Sequence, residues 1–191
     1  GKEQIAGEYQ PGWMLLSYGK KVSVSSSLEG YPAENIVDED ARTAWVAQSN
    51  RDMEWAQVDL QRLSSIHAIQ VNFDEYGANQ KGAVSGVYQS YLIYASVNGE
   101  DWSLVVDYGT KKTDTPHDYI EFEEPFKARY IKLQNKEYMV SENFSVRDLR
   151  IFGKGQGSTP RAVNDFTVER DEADPCKARL CWEAVPDAQG Y

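Results

Sequence analysis

The chain has 191 residues, 41% of them hydrophobic and 26% charged, and a formal net charge of −10. That length holds one ordinary domain plus a fragment, or two small domains, with enough apolar residues for a real core. The acidic balance excludes nucleic acid, whose phosphates need clustered Lys and Arg, and disfavours a membrane, whose anionic lipid repels it.

Helical periodicity is nearly absent. Short alternating runs bounded by turn residues predict strands over Lys21–Ser26, Trp55–Leu60, Ile66–Phe73, Tyr88–Ser96, Ser103–Tyr108, Asp118–Phe122, Arg129–Gln134 and Asp148–Gly153. Short strands on a rhythm of about ten residues suit an all-β jelly-roll sandwich. The pair Asn98-Gly99 supplies the left-handed conformations of a tight hairpin. The segment Asp74–Gly86 is polar, glycine-rich and longer than a connection requires, which marks it for recognition. Residues 1–18 read as a connector from a preceding module, 19–153 as the main domain and 154–162 as a linker. In 163–191 two further strands follow, Val163–Glu169 and Ala178–Ala184, with Trp182 inside the second. Two strands cannot bury an apolar face alone, so this tail packs on the first domain, pairs with a neighbour, or belongs to a truncated domain.

Cys176 and Cys181 form either a local disulfide or buried thiols, and His67 and His117 stand far apart, so zinc is improbable. No apolar run is long enough to span a membrane, and no signal peptide is visible. Beginning on Gly1 rather than Met, the chain reads as a piece of something larger, with any export signal outside it.

One loop crowds Asn35, Asp38, Asp40 and Thr43 together ahead of Trp45 and Trp55. Oxygen donors gathered in this way suit a hard cation such as calcium, which takes several carbonyls and carboxylates in flexible geometry. The bland alternative is an Asx-rich turn with no ion. Twelve Tyr and five Trp fit strand cores, and also fit sugar stacking. No nucleophile, base and orienting residue occur together, and carboxylates are plentiful without any sign of a facing pair, so the chain reads as non-catalytic.

The strings SSSLEGYPAENIVDEDARTAW, WAQVDL, YLIYASVNGEDW, ARYIKL and SVRDLRIFG occur in that order. Together they make Lys20–Gly153 resemble the discoidin domain, or coagulation-factor type C fold, and within it bacterial carbohydrate-binding modules of the galactose-oxidase N-terminal type. The tail DFTVERDE…ARLCWEAVPDAQGY is similar to the opening strands of a fibronectin type III domain, an incomplete immunoglobulin-like segment. The stretch GEYQPGWMLLSYGKKV resembles the junction after a catalytic module of polysaccharide-degrading glycosidases.

The discoidin resemblance implies a structural calcium ion. Its donors would be the carbonyls of Asn35, Asp40 and Arg147, both oxygens of Thr43, and the carboxylates of Asp38 and Asp148. Family members usually carry Glu where this chain has Asp148. It also implies sugar recognition by loops at one end of the sandwich, here Gln48–Glu54, Asp74–Gly86 and Asn135–Phe144. The candidates there are Asn50, Arg51, Tyr76, Asn79, Gln80, Tyr138, Asn143 and Phe144. Family galactose binders have an Arg early in the second loop, where this chain has Asp74 and Glu75. The implied function is non-catalytic binding of a plant or host glycan that targets or orients an attached glycoside hydrolase, in a secreted, periplasmic or cell-surface setting. The alternative is a structural spacer packed on the catalytic module, with no sugar binding of its own.

Overall fold

The structure, a computed structural model, describes residues 12–78 and 86–155 with their side chains and the backbone of 166–170 and 178–182. The chain divides into two compact units, Gly1–Gln156 and Gly157–Tyr191.

The strands of the first unit are β1 (Met14–Leu15), β2 (Lys21–Val24), β3 (Trp45–Val46), β4 (Trp55–Phe73), β5 (Gln89–Ser96), β6 (Ser103–Tyr108), β7 (His117–Tyr138) and β8 (Ser145–Gly155). A 3-10 segment, Ala33–Val37, follows β2. All pairings are antiparallel.

Four runs that the sequence separates are joined here into two long strands. Trp55–Asp59 of β4 pairs with β2 and with the second half of β7, whereas Ser64–Phe73 pairs with β8 and with the first half of β7. Each long strand therefore serves both layers of the sandwich. The crossing in β4 is a register break between Asp59 and Ser64, where Gln61 adopts φ 66° and its N–H donates to Asp59 Oδ1 at 2.7 Å. One layer runs β2–β4–β7–β5–β6 and the other β1–β8–β4–β7, with β3 also on β8.

Period-two alternation points one set of side chains into the space between the layers. Ala56, Val58, Ile66, Ile69, Val71, Ile93, Ile131, Leu133, Leu149 and Ile151 are completely buried there. Trp45 is buried with them, and its indole N–H donates to the Ser26 carbonyl at 2.9 Å, so its polar atom carries no penalty.

Part of the expected connector belongs to the sandwich. β1 pairs with Phe152 and Gly153 of β8, the Leu16 N–H donates to the Ile151 carbonyl at 2.7 Å, and Leu16 packs on the core. Two residues suffice because they complete an edge that already exists.

At the far end of the crossing, Arg129 grips Asp59 through Nε and Nη2 at 2.8 and 2.9 Å. This hydrogen-bonded fork holds the Asp59 carboxyl below its ordinary range despite partial burial. A depressed carboxyl contributes stability above its unfolded pKa and loses it as pH falls through the folded value. Asp59→Asn should lower the melting temperature at neutral pH, with the gap to the parent closing as pH falls through the folded value, in paired thermal scans.

The second unit has β9 (Phe166–Arg170) and β10 (Ala178–Trp182), paired antiparallel from Phe166↔Trp182 to Arg170↔Ala178. Cys176 lies outside the described residues.

Candidate functional site at the loop rim

One end of the sandwich gathers the connections after β2, β3, β4 and β7. The Phe144 N–H donates to the Ser49 carbonyl at 2.9 Å, and Asp74 N–H to the Ser145 carbonyl at 3.0 Å. Asn135, fully buried, donates from Nδ2 to the carbonyls of Asn50 and Arg51, both at 2.8 Å. The described parts of the three loops expected to recognise a ligand thus form one rim.

Several of the expected ligand residues build that rim instead of facing solvent from it. Asn50 donates to the carbonyls of Ser141 and Tyr138 at 2.9 and 3.3 Å, and Asn143 to that of Ala47 at 2.9 Å. Their amides tie loop to loop. Tyr138 and Phe144 are each only 1% exposed and cannot offer a ring face to a sugar. Phe144 packs edge-on against Trp45 and Tyr138, with centroids 5.7 and 5.4 Å apart. The Tyr138 hydroxyl donates to the Asp74 carbonyl, and burial pushes its pKa up. The physical reason is geometric: large rings at the base of loops fill the mouth of the core, which no strand covers.

Arg51 is exposed, and Tyr76 is half-buried and set edge-on to Tyr31 with centroids 4.9 Å apart. Asn79 and Gln80 lie outside the described residues. The sequence reading missed Tyr31 and the Arg147 side chain. Arg147 Nη2 donates to Asp74 Oδ1 at 2.6 Å, in a partly exposed pair two residues from Tyr76. A guanidinium thus stands beside the early positions of that loop, where the sequence has Asp74 and Glu75, delivered from a different strand. A bulge that only the paired strands reveal places it there: Asn72 pairs with Asp148 and Phe73 with Val146, leaving Arg147 as the extra residue. Beneath the rim, burial would raise the Glu54 carboxyl, but hydroxyls of Ser25, Ser49 and Ser26, helped by Arg51, hold it below its ordinary range.

The oxygen loop lies against β8. Asp38 accepts at Oδ1 from the Asp40 N–H (2.8 Å) and at Oδ2 from the Thr43 hydroxyl (2.7 Å). Thr43 Oγ1 is also 2.9 Å from the Asp40 carbonyl. The Thr43 backbone N–H also donates to the Asp40 carbonyl at 3.1 Å, so one residue ties both oxygens of the turn together. The Asp40 side chain turns outward, where the Arg42 guanidinium pulls its carboxyl down to about 2. The Asn35 amide donates to the Ala44 carbonyl at 2.8 Å. Across the gap Asp148 is 8% exposed and accepts from Asn72 Nδ2 at 2.9 Å. Burial pushes its carboxyl up, and Glu39 and Asp38 push it further, so loop and late strand share one electrostatic environment. Among the described residues no group of three or more His, Cys, Asp or Glu side chains forms a metal cluster. The expected donor set does not require one, since only Asp38 and Asp148 act in it through carboxylates.

Against known proteins, the F5/8 type C domain profile matches residues 21–149, more than half of the chain. The chain belongs to the F5/8 type C domain family. Rat and mouse lactadherin are 33% and 32% identical over 110 residues, covering 54% of this chain and 25% and 23% of theirs. The chain therefore spans about a quarter of the length of the curated relatives it matches. Chitosan-binding module 1 of a Paenibacillus sp. IK-5 chitosanase/glucanase superposes with a TM-score of 0.62 at 20% identity, over 73% of this chain and 99% of that one. The family 32 carbohydrate-binding module of Clostridium perfringens NanJ, solved with galactose, gives 0.58 at 18%, over 73% and 98%. At those identities the likeness is one of fold. The F5/8 type C match takes in the oxygen loop and the whole rim, while β1 and the end of β8 extend beyond it. Among the described residues no helix is long and apolar enough to cross a membrane.

Proposed function

We propose that the F5/8 type C unit is a non-catalytic carbohydrate-binding module that targets or orients an attached polysaccharide-degrading glycoside hydrolase outside the cytoplasm, on a plant or host glycan. The observation that carries the reading is the rim itself, where the Tyr76–Tyr31 pair adjoins the Arg147–Asp74 pair. A ring stacks on a sugar face, and a planar guanidinium or carboxylate orders its hydroxyls. Neighbours of the same fold named for chitosan binding, or solved with galactose, support the ligand class. Weak binding suffices, because tethering raises the effective concentration of enzyme at its substrate.

In this reading the carbonyls of Asn35, Asp40 and Arg147, the Thr43 oxygens and the carboxylates of Asp38 and Asp148 hold a structural calcium ion. The grouped oxygens of Asp38, Asp40 and Thr43, with the Asp148 carboxyl in the same field, fit a cation. The ion supplies cross-linking of loop to strand and no chemistry. The β9–β10 hairpin is taken as the opening of a fibronectin type III domain.

The spacer reading also has an observation in its favour, since Tyr138 and Phe144 are core and the amides of Asn50 and Asn143 serve the loops. A glycan array separates the two. Retention on a neutral glycan should fall at least about tenfold in Tyr76→Ala, the loss of one stacked ring. Silence across the array from folded protein would leave the spacer.

A further inference from the structure

Away from the rim, the outer face of the β2–β4–β7–β5–β6 layer carries a cation held between indoles. Lys132 Nζ lies 3.8 Å from the centroid of Trp102 and 5.6 Å from that of Trp55. Lys132 is outward because Ile131 and Leu133 on either side are fully buried. It is half-buried, and among the described residues no ion pair engages it. The register sets Gln57 on β4 and Tyr94 on β5 directly beside it, and Gln134 lies opposite Trp55. Asp59, the neighbouring carboxylate on this face of β4, is held by the Arg129 fork.

An ammonium has three donors, and contact with a ring face uses its charge without filling them. The strands beside Lys132 offer it amides and a phenol and no acid. The face thus presents a cation with hydrogen-bond donors to spare, while aromatic and amide groups around that point match the faces and hydroxyls of a sugar ring. We propose that this face is a second ligand site, which takes an anionic sugar residue of a polysaccharide, its carboxylate or sulfate on Lys132. The site is distinct from the loop rim, and the inference holds whether or not the rim binds a neutral glycan.

The test is affinity electrophoresis of the full chain in gels cast with polygalacturonate, dextran sulfate or neutral dextran. Retardation is expected in one or both polyanion gels and not in dextran; the first two arms distinguish a carboxylate ligand from a sulfate. Lys132→Gln should weaken retardation at least about tenfold, the scale of one charge-assisted hydrogen bond. Gln57→Glu keeps the indole–lysine stack and sets a carboxylate opposite Lys132, so it should abolish retardation with the melting temperature unchanged or raised. Tyr76→Ala should leave polyanion retardation intact, which separates this site from the rim. No retardation by either polyanion, equal retardation by dextran, or parental behaviour of Gln57→Glu would each overturn the proposal.

Discussion

Replacing Gly153 by alanine should unfold most of the F5/8 type C unit at room temperature, or lower its stability by at least about 3 kcal/mol. Gly153 sits in β8 between Met14 of β1 and Ile66 of β4. A Cβ added there would fall 1.9 Å from the Ser65 carbonyl oxygen, with the Ile66 Cα at 3.2 Å. Both obstacles are backbone, and a methyl group has no rotamer with which to escape. Relief requires β8 to move away from β4, which breaks the ladder from Ser64 to Phe73. The same strand begins with the bulge that carries Arg147 and Asp148, so its displacement would disorder rim and oxygen loop together. Gly155→Ala is the control, since its nearest neighbour is the Arg62 side chain at 3.9 Å; it should be near neutral. Far-UV circular dichroism with denaturant titration reads both variants. A Gly153→Ala protein melting with the parent would show that the strands do not approach this closely.

The sequence announces strands better than it announces their joints. Alternation in Trp55–Leu60 and Ile66–Phe73 is unambiguous, and both runs are strand. Nothing in the intervening residues says that the chain continues through a left-handed Gln61 in place of turning back. Pattern reads which way a side chain faces, whereas continuity depends on what lies across the layer. The candidate site divides along the same line. The oxygen loop is local, so its internal bonds among Asp38, Asp40 and Thr43 follow from residues at most five apart. The rim is not local. Tyr31 meets Tyr76, and Arg147 meets Asp74, across distant loops that only the folded sandwich brings together. Tyr138 and Phe144 show the converse. Set in a segment with Asn135, Glu137, Ser141 and Asn143 they look like recognition rings, yet the core needs them as its plug. An aromatic in a loop is ambiguous until the depth of that loop is known.

Chelation should lower the melting temperature by about 10 °C at neutral pH if calcium is present at a thousandfold excess over its dissociation constant. A ligand of the native state alone contributes about 4 kcal/mol at that excess, and a domain of this size shifts by about 2–4 °C per kcal/mol. Two variants then move in opposite directions without metal, which separates ion binding from simple damage. Asp38→Ala removes the acceptor for the Asp40 N–H and the Thr43 hydroxyl, so the chelated protein should melt lower and gain nothing from calcium. Asp148→Asn keeps an acceptor for Asn72 but deletes a buried charge facing Glu39 and Asp38. The sign follows from linkage. A carboxyl whose folded pKa is raised costs stability when ionised, and that cost is relieved as pH falls through the folded value toward the unfolded one. At neutral pH the chelated Asp148→Asn protein should therefore melt above the chelated parent, yet lose the calcium increment. Mild acid should narrow the parent's increment, because protons and the cation compete for the same carboxylate. Identical melting of the parent with calcium and with chelator, together with no heat of calcium binding by calorimetry, would reduce the loop to an Asx-rich turn.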